Sequence, residues 1–269
     1  MKPIIKWAGG KTRLLPAIRE LLPQDRGQWY EPFAGGLAVT LDAQPDTAII
    51  GDLNPELINF YRQIRDSPGA VFTTANAQPR TKTHYHTVRG LDRYQDWLNQ
   101  SPITRAARFL YLNKTGFNGL WRVNRKGQCN TPYGTPGKGD LCDYENLKQV
   151  ADYLRNHVTI RLGDYQDTLA DTQPGDFTYL DPPYLPLSNT ANFTSYTAQD
   201  FTDRDQMELA DTVRDLDRQG VKFMLSSPDV PAIRELYKNY RQTKVEVNRS
   251  ISCKSETRRN TQELIITNY

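Results

Sequence analysis

The sequence predicts an α/β fold with a mostly parallel sheet. Short apolar runs of strand length alternate with stretches whose apolar residues fall at helical spacing. Three of those runs end in an acid: Asp52 after Ile49-Ile50-Gly51, Asp164 after Leu162-Gly163 and Asp181 after Tyr179-Leu180. A fourth ends in the glycine-rich turn Phe33-Ala34-Gly35-Gly36. In a doubly wound sheet these ends face one crevice, where ligands bind.

Ile4-Ile5-Lys6-Trp7 and Ala8-Gly9-Gly10-Lys11-Thr12 lead into a helix around Leu14 to Leu22. Trp29 to Ala34 forms a strand broken by Gly35-Gly36, and Leu37 to Leu41 opens the next helix. Thr47 to Ile50 forms a second strand. Asn54-Pro55-Glu56 starts a helix, with a capping side chain followed by proline at the first helical position. Leu57, Tyr61 and Ile64 continue it at helical spacing. Between residues 68 and 140 the alternation fails, apart from a helical stretch near Ile103 to Leu112. It resumes with a helix near Tyr144 to Asn156, strands at Val158 to Leu162 and Phe177 to Leu180, a helix near Asp203 to Gln219 and a strand at Val221 to Leu225. Lys244 to Ile251 and Glu263 to Thr267 close the chain as an antiparallel pair. The middle is then an insertion between two halves of one sheet.

At 269 residues, with 38% hydrophobic and 24% charged residues, the chain has the composition of a globular protein and not of a disordered one. The net charge of +3, from 34 Lys and Arg against 31 Asp and Glu, does not by itself indicate nucleic acid. The distribution does. Arg105, Arg108, Lys114, Arg122, Arg125, Lys126 and Lys138 fall in a stretch from Arg105 to Gly139 that contains no acid. A local field of one sign suits a phosphate backbone. The 15 tyrosines, against 9 phenylalanines, suit stacking surfaces as well as half-buried sheets. Three scattered cysteines (Cys129, Cys142, Cys253) imply no disulfide framework. The pair His84 and His86 has no third ligand nearby and is expected on a surface loop, so no metal site is expected. The absence of an apolar targeting or membrane-length run points to the cytoplasm.

Asp181-Pro182-Pro183-Tyr184 carries the most specific chemistry. Two prolines end the strand because neither can donate to a ladder. They hold an acceptor-only carboxylate, a backbone carbonyl and an aromatic plate on a stiff exit, an arrangement that suits the exocyclic amine of a flat base. The glycine signals argue against the common nucleotide loops. Gly9-Gly10-Lys11-Thr12 looks like the end of a P-loop, but the pattern needs glycine where Ile5 stands, and Glu31 to Gly36 does not fit the dinucleotide fingerprint.

Lys6-Trp7-Ala8-Gly9-Gly10-Lys11, Glu31-Pro32-Phe33-Ala34-Gly35-Gly36 and Asp181-Pro182-Pro183-Tyr184, in that order, resemble the Dam-type (D12 class, alpha group) site-specific DNA adenine-N6 methyltransferases. The stretches Tyr111 to Asn124 and Asn130 to Gly134 are similar to that family's target-recognition region. Arg249-Ser250-Ile251 and Glu263 to Tyr269 also match. The resemblance implies a Rossmann-like methyltransferase fold with S-adenosylmethionine as cofactor, duplex DNA as partner and a monomer. The catalytic and cofactor-binding domain would span residues 1–54 and 143–269, and residues 55–142 would form the inserted DNA-recognition domain. Cofactor contacts are expected from Trp7, Lys11, Phe33, Gly35, Asp52, Asp164 and Asp181. Asp181 and the Pro182 carbonyl would accept hydrogen bonds from the adenine N6 amine, with Tyr184 stacked on a flipped base.

The resemblance also implies recognition of GATC. Readout would come from the matching positions Lys6, Leu120, Arg122 and Pro132, with arginine the natural reader of guanine O6 and N7. Phe117 stands at an intercalating position and Asn118 at a backbone or orphan-base contact. Arg105, Lys114 and Asn124 complete the candidate DNA-binding set. Pro136 replaces a tyrosine found in some members, which bears on the first base pair. The alternatives are an amino-methyltransferase for cytosine N4, RNA or protein, a catalytically dead DNA-binding module, a P-loop kinase, and the same adenine chemistry at a different DNA sequence. The Lys6 to Lys11 and Arg122 to Gly134 motifs disfavour the first, the intact Asp181 to Tyr184 the second and Ile5 the third.

Overall fold

The structure is a computed structural model that describes residues 1–184, 201–247 and 261–269. A 3₁₀ turn at Lys11–Arg13 leads into α1 (Leu15–Leu21). Strands β1 (Trp29–Glu31) and β2 (Ala48–Asp52) flank α2 (Ala38–Ala43). Four helices follow: α3 (Pro55–Asp66), α4 (Pro68–Asn76), α5 (Lys82–Gly90) and α6 (Pro102–Thr115). After a folded loop, α7 (Tyr144–His157) runs into β3 (Val158–Leu162), and α8 (Tyr165–Leu169) precedes β4 (Phe177–Leu180). Next come α9 (Asp203–Arg218), β5 (Lys222–Pro228), α10 (Pro231–Leu236), β6 (Arg241–Val247) and β7 (Thr261–Thr267).

The sheet order is β3-β2-β1-β4-β5-β7-β6. All pairings from β3 to β5 are parallel, and β7 runs antiparallel between β5 and β6. The winding reverses between β1 and β4, so the crevice of the sheet opens at their carboxyl ends. Side chains alternate across the sheet with period two. Trp29, Phe177, Tyr179, Met224 and Ile265 enter one core, while Tyr30, Leu180, Phe223, Leu225, Leu264 and Ile266 enter the other. The second core is closed by Leu209, Val213 and Leu216 of α9. The first runs without a break into Tyr85, Phe109 and Trp121. The segment 55–142 therefore shares its core with the sheet, and the boundary expected after residue 54 precedes a helix, α3, that packs on β2 and β3 as well as on α6.

Most elements fall where the apolar pattern puts them, and the differences have local causes. β1 stops at Glu31 instead of Ala34 because Pro32 cannot donate to the ladder. Helices α4 and α5 lie where no helix is expected. Pro68-Gly69-Ala70-Val71-Phe72 has no polar face to create a helical stripe, and Tyr85 and Val88 are the whole buried face of α5. Packing on α6 makes them helical. His84 and His86 lie on α5, not on a loop, and His84 Nε2 is 2.6 Å from Gln78 Oε1. The expected strand Lys244 to Ile251 begins earlier, at Arg241. Residues 248–251, including Arg249-Ser250-Ile251, and Cys253 lie outside the described residues. No helix among the described residues is long and apolar enough to cross a membrane.

Asn54 caps α3 as its sequence requires. Its Oδ1 accepts from the backbone N–H of Glu56 at 3.0 Å and of Leu57 at 3.1 Å. Asn54→Ala is expected to lower stability by about 1 kcal/mol, read as a shifted denaturant midpoint at unchanged slope.

Candidate active site

The exit of β4 is tied to the opening of the chain. Lys11 is only 4% exposed, and its Nζ lies 2.6 Å from Asp181 Oδ1. The same ammonium donates to the Gly9 carbonyl at 2.6 Å and sits 4.8 Å from the centroid of the Tyr184 ring. A buried cation is thus met by a carboxylate, a carbonyl and an aromatic face. The Tyr184 hydroxyl in turn donates to Glu263 Oε2 at 3.0 Å. Glu263 is buried on β7, which the antiparallel insertion brings beside β5. Burial pushes the Asp181 carboxyl up to about 6, against the pull of Lys11. A fifth of its side chain (20%) remains exposed, enough for a ligand to reach it.

The glycine turn after β1 lies at the same edge. Gly35 has φ +44°, and a Cβ there would come within 2.8 Å of Trp7 Cδ1. The close approach expected at this glycine is made by an indole of the protein itself. Trp7 also stacks on Phe109 at 6.3 Å between centroids. Asp52 accepts from the N–H of Gly35 at 3.1 Å and of Asn54 at 2.9 Å, and burial still pushes its carboxyl up to about 6. Tyr61 donates to the Gly35 carbonyl at 2.7 Å. Phe33 stacks on Tyr165 of α8 at 5.4 Å. Asp164 is exposed and caps α8, accepting from the Gln166 N–H at 3.2 Å. Phe33, Gly35, Asp52, Asp164 and Asp181 therefore lie at or just beyond the carboxyl ends of four parallel strands, and Trp7 and Lys11 reach the same edge from the chain's start. A cavity of about 320 Å³ lies against Tyr184, lined also by Gln206, Met207, Ser227, Pro228, Val230 and Leu236.

The loop between α6 and α7 is a hairpin. Phe117 N–H donates to Pro132 O, Asn130 N–H to Arg122 O and Asn124 N–H to Gln128 O, with bridges at Gly116–Tyr133 and Val123–Cys129. Phe117, Asn118 and Pro132 are exposed, and Leu120 and Arg122 half-buried. The Arg122 guanidinium donates from Nε to Asn130 Oδ1 at 2.7 Å. Asn124 closes the tip: its Oδ1 accepts from the N–H of Lys126 and of Gln128, and its Nδ2 donates to Gln128 Oε1. Lys114 is half-buried, and that burial lowers its ammonium below the ordinary value.

Two of the seven basic residues of the acid-free stretch are paired with acids. Arg105, expected to bind DNA, instead pairs with Glu56 at 2.6 Å, and Arg108 is buried against Asp92 at 2.7 Å. Both acids precede the stretch in sequence and were invisible to a local count. The exposed charge left on this segment is Arg125, Lys126 and Lys138. Glu31, Glu263 and Asn113 are absent from the expected site although they support it. For Glu263 the available clue was an acid beside the apolar run Leu264-Ile265-Ile266.

A family model for D12 class N6 adenine-specific DNA methyltransferases matches residues 7–251, which takes in Trp7, the Asp181 to Tyr184 exit and the whole hairpin. The chain belongs to that family. Three relatives agree with it. The Type II methyltransferase M1.LlaDCHI of Lactococcus lactis subsp. cremoris is 41% identical, covering 100% of this chain and 96% of that protein. The Type II methyltransferase M.MjaIII of Methanocaldococcus jannaschii is 38% identical over 100% and 99%. The DNA adenine methylase of Escherichia coli strain K12 is 34% identical over 98% and 94%. This D12 methyltransferase is an adenine-N6-specific enzyme with DNA as its substrate.

Behind the glycine turn the methyltransferase buries Glu31, whose Oε2 accepts from the Thr40 N–H at 3.0 Å and from the Thr40 hydroxyl. Burial pushes this carboxyl up to about 8, from an ordinary value of 4.5. The native state holds the proton more tightly than the unfolded chain. The stability it contributes is complete below pH 4.5 and is lost as pH rises through about 8. Glu31→Gln keeps a neutral hydrogen-bonding group and is expected to flatten the fall in melting temperature between about pH 6 and 8. A variant profile parallel to that of the parent would contradict this assignment.

Proposed function

We propose that this enzyme transfers the methyl group of S-adenosylmethionine to N6 of an adenine flipped out of duplex DNA, within GATC. One observation carries the reading. The Asp181 carboxylate and the Pro182 carbonyl leave the same strand, beside an aromatic plate whose hydroxyl is fixed by Glu263. The neighbouring crevice supports the choice of cofactor. It offers the Trp7 indole, a side-chain-free turn at Gly35 and the acid Asp52, a set suited to a nucleoside bearing an amino acid. Trp7, Lys11, Phe33, Gly35, Asp52 and Asp164 would hold that molecule. When bound, S-adenosylmethionine supplies an electrophilic methyl group.

The chain's own residues make the amine reactive. The N6 lone pair is delocalised into the adenine ring and is a poor nucleophile. Asp181 accepts one N–H and the Pro182 carbonyl the other, which draws the nitrogen toward a tetrahedral geometry. Positive charge develops there as the bond forms, and the carboxylate offsets it. Asp181 is also placed to receive the proton that the alkylated nitrogen sheds. Tyr184 stacks on the extruded base, worth roughly 1–3 kcal/mol. Among the described residues no group of three His, Cys, Asp or Glu side chains is arranged to hold a metal ion, and this scheme uses none.

Sequence readout falls to the hairpin and the chain's start. Asn130 pre-orients the Arg122 guanidinium, the group that reads guanine O6 and N7. Lys6, Leu120 and Pro132 stand at the other reading positions. Phe117 is exposed where an aromatic can enter the base stack.

Asp181→Ala is expected to reduce methyl transfer at least about a hundredfold with an unchanged circular dichroism spectrum, and near-normal turnover would sink the assignment. In the parent enzyme kcat/KM is expected to fall below about pH 6 as Asp181 protonates. Lys11→Met, assayed at saturating cofactor, removes the cation that opposes burial and should shift that limb to higher pH. DNA treated with the enzyme should resist a GATC nuclease that is blocked by adenine methylation; complete cutting excludes GATC.

A further inference from the structure

Asn113 lies near the end of α6, where asparagine is a poor helix former. It is fully buried, at 0% exposure, and cannot touch DNA. Its amide is nevertheless fully engaged, and none of its bonds is to its own helix. Oδ1 accepts from the Lys6 N–H at 3.0 Å. Nδ2 donates to the Lys6 carbonyl at 2.7 Å and to the Gly119 carbonyl at 2.9 Å. The side chain thus grips both polar groups of one peptide unit, as a neighbouring strand would. With its remaining donor it holds the Phe117–Gly119 turn that precedes Leu120 and Arg122.

The contact between these two segments is equally tight on the other side. Gly119 has φ +67°, and a Cβ there would fall 2.6 Å from Lys6 Cβ and 2.7 Å from Lys6 Cδ. The Lys6 stem therefore lies along the bare backbone of Gly119. Only a group that both donates and accepts in one plane can make the three Asn113 bonds. An isosteric carboxylate keeps the acceptor, loses both donors and brings a buried charge. The helix that carries Asn113 is itself pinned by Arg105 on Glu56 and by Arg108 on Asp92.

We propose that Asn113 is a specificity-positioning residue: it locks Lys6 to the Phe117–Leu120 turn, so that side chains from the chain's start and from the hairpin read DNA as one rigid surface. The inference rests on the reading above, in which Lys6 and Arg122 contact base pairs. A reading head that is held in register rejects wrong bases by misfit. A loosened one accommodates them, so discrimination falls more than turnover.

The test compares kcat/KM on a duplex carrying the recognition site with kcat/KM on duplexes that differ at one base pair outside the target adenine. Asn113→Ala and Asn113→Asp are expected to lower that ratio by about tenfold, with cofactor affinity unchanged in calorimetry. Adding Lys6→Ala to Asn113→Ala should reduce the ratio little further, because the two act through one contact. Gly119→Ala attacks the same contact from the other side and decides the question should the Asn113 variants not fold. A loss of turnover on all duplexes alike, with the ratio intact, shows that Asn113 only fills the core and overturns the proposal. So does an unchanged ratio in a folded variant. Lys6→Ala and Arg122→Ala in the parent separate the two levels. A ratio indifferent to both sinks the assignment of the reading residues, whereas a ratio sensitive to them but not to Asn113 or Gly119 sinks this proposal alone.

Discussion

The buried pair between Lys11 and Asp181 is the contact around which the site is organised. It joins the first turn of the chain to the exit of a central strand, at a point where neither charge is well hydrated. Removing either partner would leave a buried ion without its counter-charge, a larger loss than that of the attraction itself. The pair also sets the protonation state of Asp181. Burial alone would keep Asp181 protonated further toward neutrality, and the ammonium restrains that shift so that a carboxylate is present at neutral pH. The same ammonium lies over the Tyr184 ring, whose other anchor is Glu263. The ammonium, the carboxylate and the aromatic ring are thereby placed by one connected set of contacts.

The elements of the sheet were largely legible in the sequence because they are strongly patterned. Phe177–Leu180 is apolar except at Thr178 and runs into Asp181-Pro182-Pro183, and the Asn54-Pro55-Glu56 start signal is local chemistry. The strand-end acids were equally readable, since parallel strands put their carboxyl ends on one edge. What could not be read was pairing across long separations. Arg105 resembled a free cation because its partner, Glu56, belongs to a different helix 49 positions earlier. Glu263 lies 79 positions from the tyrosine it holds. Helices α4 and α5 lacked a two-faced pattern, and their helicity is a consequence of packing against α6.

Gly35 stands at the crevice, and the atoms that exclude a side chain there belong to Trp7. Trp7 stacks on Phe109, and Phe109 lies 4.3 Å from Trp121 of the hairpin. A single aromatic column therefore runs from the glycine turn at the sheet's edge to the residue beside Arg122. The segment 55–142 shares the core of the sheet.

The placement of β7 ties the sheet's integrity to the aromatic side chain. β7 lies between β5 and β6, and it carries the glutamate that fixes Tyr184. Glu263 pairs in register with Pro228 of β5 and with Val245 of β6, so its backbone is clamped from both sides. Local opening of the antiparallel end of the sheet would release the Tyr184 hydroxyl at the same moment, and the two events share one free-energy cost.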